Sequence, residues 1–422
     1  MTADETEVGT GTTPESVRAS VRAWIAANWD PTSSLLEWRR LLVDAGWAAP
    51  TWPRRWHGLD LPSWADGIVR QELQSAGAVG ASVGSGMTLA APTILAHGPD
   101  DIRERFLGPI LTGEETWCQL FSEPDAGSDL AGLVTRATLD GDEWVVNGQK
   151  VWNTSAHHAD MGMLVARTNW DVPKHKGLTY FVLPMHQSGV SVRPLRQMNE
   201  YSSFNEVFLS DARIPREYVV GDVGDGWRVA VTTLAFERRF GVMRQPKAGH
   251  SAGRAVDEAR KEADDYFSTY KWYPQRAGRV DLVIERAYET KTAHLANVRQ
   301  EIAKLISLQR VSIWTAERAQ AARTLGKTPG PEGSVGKLAT SITARQASKV
   351  HLMMSGSSAM LSGSDGPRNG LIAEILTSVP AQSIAGGTDE IQKNILGEKA
   401  LGLPREPSVD SDMPFRDILR NS

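Results

Sequence analysis

Between Thr13 and about Glu114, apolar side chains recur at three- and four-residue intervals, the spacing of a helix with one buried face. Val17, Val21, Trp24 and Ile25 form one such set; Leu35, Trp38, Leu41 and Leu42 form another. Thr13 before Pro14 predicts a helix start, with a capping hydroxyl followed by a residue whose φ is already helical. Gly46-Trp47-Ala48-Ala49-Pro50 predicts a loop. The small-residue run from Gly77 to Gly86 is expected in a helical context, where it lets helices approach closely, and Leu89-Ala90-Ala91-Pro92 to Leu111 reads as further helix.

From Cys118 to about Val223 the period changes to two, the signature of strands with one buried face. Glu143–Val146 and Gln149–Trp152 flank Asn147-Gly148, which predicts a type I′ hairpin. Gly162–Ala166, Leu178–Leu183, Val190–Val192 and Glu206–Leu209 read as further strands, together a small barrel or sandwich. Helical spacing returns from Gly226 to about Gly402, with long runs over Trp227–Phe240, Val298–Arg323 and Val335–Ser355 that suggest a bundle. The expected fold class is α+β multidomain: an N-terminal all-α domain (13–117), a middle β-barrel (118–225) and a C-terminal four-helix-bundle-like domain (226–405), with tails over 1–12 and 406–422.

Composition narrows this only slightly. The 422 residues carry 46 basic and 50 acidic side chains, a net charge of −4, which gives no footprint for nucleic acid. The single cysteine, Cys118, excludes an internal disulfide framework and reads as a small buried hydrophobe. No apolar run approaches the roughly 20 residues of a membrane span. The acidic start has no basic and apolar leader pattern and reads as a disordered tail, so a cytoplasmic location is expected.

The chemistry concentrates between Cys118 and Thr154. Ser122-Glu123-Pro124 runs into Ala126-Gly127-Ser128-Asp129, and Asn147-Gly148-Gln149-Lys150 is followed by Trp152 and Thr154. In this order and spacing the two motifs resemble the flavin-cradling segment of the acyl-CoA dehydrogenase family, whose architecture of α-domain, β-domain and α-bundle also matches nearly the whole chain. The resemblance implies FAD as cofactor and an acyl-CoA thioester as substrate. It assigns Phe121, Ser122 and Thr154 to the isoalloxazine, Trp152 to its flat face, and Gly127 and Ser128 to a phosphate or the pantetheine arm. Thr388, Glu390 and Gln392 fall in the segment with which the family holds FAD. The glycine-rich stretch Gly221–Trp227 lacks a nucleotide fingerprint and reads as the linker from β-domain to bundle.

The family's reaction removes a proton from the α-carbon and passes a hydride from the β-carbon to the flavin N5. Most members supply the base from a Tyr-Glu-Gly-Thr motif near the C-terminus. Here Ala385-Gly386-Gly387-Thr388 stands in its place, so that glutamate is missing. Isovaleryl-CoA and long-chain enzymes instead place a glutamate before an arginine on the first long C-terminal helix. Leu234-Ala235-Phe236-Glu237-Arg238 is similar, which makes Glu237 the expected base and Arg238 a residue that orders the helix or meets substrate. Gly386 then leaves room over the flavin and offers its N–H to the thioester oxygen.

The pattern departs from the family after this helix. The usual Arg-x-x-Phe-Gly element has no clear counterpart, and residues 242–292 carry no family signature. Three functions therefore stay open: a homomeric acyl-CoA dehydrogenase, a non-catalytic or FAD-sharing subunit of a heteromer, and an acyl-CoA oxidase. The resemblance implies an electron-transfer flavoprotein as acceptor and a homotetramer or a heterotetramer with a paralogue. His157, His158 and His175 lack the acidic or cysteine partners of a metal site. Lys174 and Lys176 form a small basic cluster that suits a CoA phosphate or a solvated loop equally.

Overall fold

The computed structural model describes residues 12–239, 252–324, 330–407 and 410–418. The expected N-terminal tail lies almost wholly outside them. In the first domain, helix α1 (Pro14–Asn28) starts where the sequence predicts, with Thr13 and Ser16 closing a reciprocal capping box. Ser34 and Glu37 repeat the device at α2 (Leu35–Asp44). Val17, Val21 and Ile25 pack with Trp38, Leu42, Val69 and Leu73, the last two on α3 (Ala65–Ser75).

Two expectations here are corrected. The run from Gly77 to Gly86 is mostly irregular chain that enters a single π-helical turn, Gly86–Ala90. Close approach is still its purpose, because a Cβ on Gly86 would lie 3.0 Å from the Trp117 ring. The segment Leu89–Leu111 is broken at Gly98-Pro99 into α4 (Ala91–His97) and α5 (Asp100–Thr112), since proline cannot continue the hydrogen-bond ladder.

The middle domain is a curved seven-stranded sheet, a half-barrel, ordered β1-β4-β2-β3-β7-β6 with β5 on β4. Its strands are β1 (Trp117–Leu120), β2 (Arg136–Asp140), β3 (Glu143–Thr154), β4 (Met161–Arg167), β5 (Leu178–Pro184), β6 (Val190–Leu195) and β7 (Phe204–Pro215). The predicted hairpin at Asn147-Gly148 does not form. Strand β3 runs straight through both residues, and the reversal from β2 falls at Gly141, at φ +62°. Gly148 instead marks a bulge against β7, where a side chain would meet Thr135 Oγ1 at 2.4 Å. Asn147 bonds across the sheet to Asp211 at 2.9 Å.

The third region opens with α6 (Gly226–Arg239), whose first residue lacks a Cβ because the Thr179 backbone would lie 2.5 Å from it. It continues with α7 (Arg254–Ser268), α8 (Tyr273–Arg276), α9 (Val283–Glu289), α10 (Ala296–Thr324), α11 (Glu332–Ser355), α12 (Leu371–Ser378), α13 (Pro380–Ile384) and α14 (Asp389–Lys399). Helices α10 and α11 join α9 through a core of Val298, Ile302, Leu305, Ala347 and Val350. Among the described residues, no helix is long and apolar enough to cross a membrane.

Candidate active site

The carboxylate expected to act as base is set at a junction of all three regions. One turn before it on the same face of α6, Thr233 is fully buried and bonds to Thr93 on α4 at 3.0 Å and to the Tyr180 hydroxyl on β5 at 3.3 Å. Residues four apart share a helix face, so this anchor directs Glu237 into the space between the domains. The half-buried Glu237 meets the 385–388 turn there: a Cβ on Gly386 would lie 3.9 Å from Glu237 Oε1. Gly386 and Gly387 have φ of +69° and +84°, a left-handed pair costly for any other residue. The fully buried Gln392 holds this turn by donating to the Gly386 carbonyl at 3.1 Å. Arg238 continues α6, but its side chain lies outside what the structure describes.

The motif residues gather on the β-domain face. Val151 N donates to the Ser122 carbonyl at 2.9 Å, which aligns the two motifs side by side. Between them lies an ion pair shielded from solvent: Lys150 Nζ is 2.8 Å from Glu123 Oε1 and 3.0 Å from the Phe121 carbonyl. Glu123 also accepts from Val134 N at 2.6 Å and Thr135 N at 2.9 Å. Burial opposes its charge, but Lys150 and these donors hold its carboxyl below the usual range.

The bulge after Lys150 turns Trp152 outward at φ +64°, with 55% of its surface exposed. A large aromatic held in the left-handed region and offered to solvent is a strained feature with an evident use. Ser122 and Thr154 sit half-exposed on the same stretch, and Phe121 is buried beneath it. Gly127 and Ser128 are exposed on the following loop. These groups fit an isoalloxazine: a free flat face, flanking hydroxyls and an open glycine-serine loop. Thr388 accepts from Ile391 N at 3.2 Å and so caps α14, while Glu390 is exposed beside Lys393.

The stretch without a family signature supplies what sequence reading missed. Ser155 Oγ meets Thr269 Oγ1 at 3.2 Å, and Trp272 donates to Ser203 Oγ at 3.1 Å. Rings then run from Trp152 to Phe204 (5.7 Å), Trp272 (6.0 Å) and Tyr273 (5.1 Å). Tyr270 stands edge-on to Tyr273 at 4.7 Å. Burial raises the pKa of both phenols, and the charge of Glu237 adds to the rise, so they lie within its electrostatic reach. The aromatic density of this stretch was the available signal.

The remaining candidates lie elsewhere. His157 and His158 have ring centres 3.9 Å apart and His175 packs on Trp227 at 4.8 Å. Among the described residues, no group of three or more metal-ligating side chains comes together. Cys118 is fully buried, which pushes its thiol far up. Lys174 pairs with Asp129 of the motif loop at 3.2 Å and with Asp410 at 3.0 Å.

A helical domain, a half-barrel carrying an outward tryptophan, and a helical bundle bringing a carboxylate to their junction together define a flavin-type oxidoreductase. The chain belongs to the acyl-CoA dehydrogenase family: profiles of that family's N-terminal, middle and C-terminal domains match residues 12–114, 118–212 and 277–401. Glu237 falls in the stretch between the last two matches. Acyl-CoA dehydrogenase IpdE1 of Mycobacterium tuberculosis is 32% identical over 415 residues, covering 93% of this chain and 98% of the relative. Acyl-CoA dehydrogenase FadE34 of the same organism is 36% identical over 389 residues, covering 92% of this chain; the chain spans about half, 49%, of that relative's length. Among solved structures, the ChsE4-ChsE5 complex from Mycobacterium tuberculosis matches at a TM-score of 0.63 and 26% identity, over 95% of this chain and 100% of its own. The Tcur3481-Tcur3483 steroid ACAD shares the fold at a TM-score of 0.63 and 21% identity, over 95% and 100%.

Proposed function

We propose that the protein catalyses FAD-dependent α,β-dehydrogenation of an acyl-CoA thioester, with Glu237 as the α-proton base. The observation that carries this is the convergence of Glu237 Oε1 on Gly386, 3.9 Å from where a side chain would begin. The carboxylate thereby occupies the neighbourhood from which most of the family supplies its glutamate, and the glycine leaves room for it. In this reading Glu237 takes the α-proton while the Gly386 N–H steadies the thioester oxygen as it gains charge. Trp152 covers a face of the ring system, with Phe121, Ser122 and Thr154 along its edge and Gly127 and Ser128 at the phosphate or pantetheine arm. The same reading gives the cofactor's remaining contacts to Thr388 and Glu390 and a substrate contact to Arg238. FAD, when bound, supplies the two-electron acceptor for the β-hydrogen. A cytoplasmic setting with an electron-transfer flavoprotein as acceptor completes the proposal.

The test is anaerobic titration of the yellow protein with a panel of acyl-CoAs. Bleaching by one class is expected, and Glu237→Gln should keep its flavin while bleaching about 10²–10⁴-fold more slowly. An unchanged bleaching rate in the variant would remove Glu237 from the role. The second reading, an FAD-sharing subunit of a heteromer, is favoured by the likeness to a two-chain complex. It predicts a colourless or unreactive protein when the chain is expressed alone and a reactive one when a paralogue is co-expressed.

A further inference from the structure

The turn that carries Gly386 follows α13, a helix of five residues of which none is buried. Without an apolar face to seat it, so short a helix takes its place from hydrogen bonds to its neighbours. From α11, Ser341 donates to the Gln382 carbonyl at 3.0 Å and Arg345 donates to Ser383 Oγ at 2.7 Å. From α8, Arg276 Nε donates to Gln382 Oε1 at 2.9 Å. The Ala385 N–H then returns to the Ala381 carbonyl at 3.0 Å, so Gln382 and Gly386 are joined by a single helical turn.

The Arg276 guanidinium is also seated on the other side of the site. Its carbon lies 4.9 Å from the Tyr273 ring centre, and Tyr273 stands against Tyr270. Both phenols lie within electrostatic reach of Glu237. Helix α8 is itself fixed on two flanks. Trp272 donates to Ser203 just before β7, and the buried Gln275 donates to Glu374 on α12 at 2.7 Å. A planar guanidinium can donate along its edge while its face rests on an aromatic ring, so one side chain serves both contacts.

We propose that Arg276 is a positioning residue for the site: seated on Tyr273 at the Glu237 side, it holds the Gly386 turn against Glu237 through Gln382. The inference rests on the reading of Glu237 and Gly386 given above. The Gly386 N–H stabilises charge only where the oxygen will be, and a displacement of about 1 Å can cost about a hundredfold in rate.

The experiment compares the full-length, flavin-loaded parent with Arg276→Ala and Gln382→Ala by two measurements. One is the anaerobic bleaching rate per bound flavin, with an acyl-CoA that reduces the parent. The other is hydrogen–deuterium exchange of the backbone over 383–388, which needs no turnover. Arg276→Ala should slow saturated bleaching by about ten- to a hundredfold, with the half-saturating acyl-CoA concentration within about twofold of the parent. Exchange over 383–388 should rise by about fivefold, the size of one hydrogen bond. Gln382→Ala should reproduce both changes, and the double variant should be no slower than either single one, because the two side chains act as a unit. Gln382 is only half-buried, so its variant carries the test if Arg276→Ala fails to fold. Gln382→Glu, which keeps an acceptor for Arg276, should restore the parent's rate. An unaltered rate in the alanine variants would overturn the inference, since the bond would then be structural only. Slower bleaching with unaltered exchange would overturn it by moving the effect off the turn, as would additive losses in the double variant. Failure of the dehydrogenation reading is separate: the parent would not bleach, or Glu237→Gln would bleach at the parent's rate, while exchange would still report whether Arg276 holds the turn.

Discussion

Glu237 shows how little of a site a single residue determines by its identity. A glutamate on an exposed helix face is ordinary; this one is set apart because Thr233 fixes its face and its carboxylate comes within contact distance of the Gly386 turn. The pairing of Lys150 with Glu123 is a different case, since both side chains are withdrawn from water inside the motif segment. Burial pulls the Lys150 pKa down, so its charge is retained only through Glu123. Lys150→Met would leave that carboxylate buried beside two amide donors with no countercharge. Removing one partner of such a pair costs about 3–5 kcal/mol. Chemical denaturation should show a loss of that order, together with weaker flavin retention because the Phe121 carbonyl loses its donor. A loss under about 1 kcal/mol would mean that the pair has no part in holding the segment.

Elements make this site by departing from regularity. Trp152 leaves strand β3 at a bulge, in a left-handed conformation that costs about 1–2 kcal/mol. Its exposed ring contributes little to the core, and asparagine tolerates the same backbone. Trp152→Asn should therefore leave the melting temperature of the flavin-free protein unchanged or higher, while FAD affinity falls by up to about tenfold. Equal FAD affinity, measured by fluorescence titration, would show that the ring is not used. The bulge explains why the hairpin expectation failed. Asn-Gly between alternating runs is a turn signal, but here glycine answers a 2.4 Å approach by Thr135, a contact distant in sequence. The start of α1 was legible because its cause is local: Thr13 caps the helix with its own neighbours. The motif segment was legible as one unit by the order of its residues; Glu237 was singled out by its setting before Arg238, and its role belongs to the proposal above. The seating of Thr269, Trp272 and Tyr273 on the motif segment was not legible, because it depends on pairings across the fold. Helix α11 adds a pH-dependent contact of the same hidden kind. His351 is fully buried, donates from Nε2 to the Arg279 carbonyl at 3.2 Å and has no partner at Nδ1. Burial brings its pKa down from 6.5 to about 4. The unfolded chain takes up this proton first as pH falls, so the contribution to stability is complete above pH 6.5 and declines between 6.5 and about 4. The slope from this group is at most about 1.4 kcal/mol per pH unit. In His351→Gln the fall of melting temperature across that window should be shallower than in the parent, and parallel curves would remove His351 as a cause.

At the scale of the whole molecule, α10 is the element on which the proposed assembly can be tested. It runs for 29 residues, a rod of roughly 44 Å, yet no described residue on it after Leu305 is buried. Val311, Ile313 and Trp314 expose 55%, 50% and 61% of their surfaces. Helical stability comes mainly from packing an apolar face, and after Leu305 this helix buries no apolar side chain among the described residues. Val311 and Trp314, three residues apart, share a face, and exposed apolar side chains grouped in this way mark a candidate interface. The proposed tetramer, of like chains or with a paralogue, would cover it. Light scattering coupled to size exclusion should then give a multiple of the single-chain mass for the chain itself or for its co-expressed complex. Trp314→Arg should weaken that assembly by at least about thirtyfold, because an aromatic anchor at an interface centre is worth about 2 kcal/mol or more. The variant monomer should keep its melting transition, since the ring it loses already faces solvent. An unchanged assembly would move the interface off this half of α10, and the exposed Val311 and Trp314 would then need another occupant.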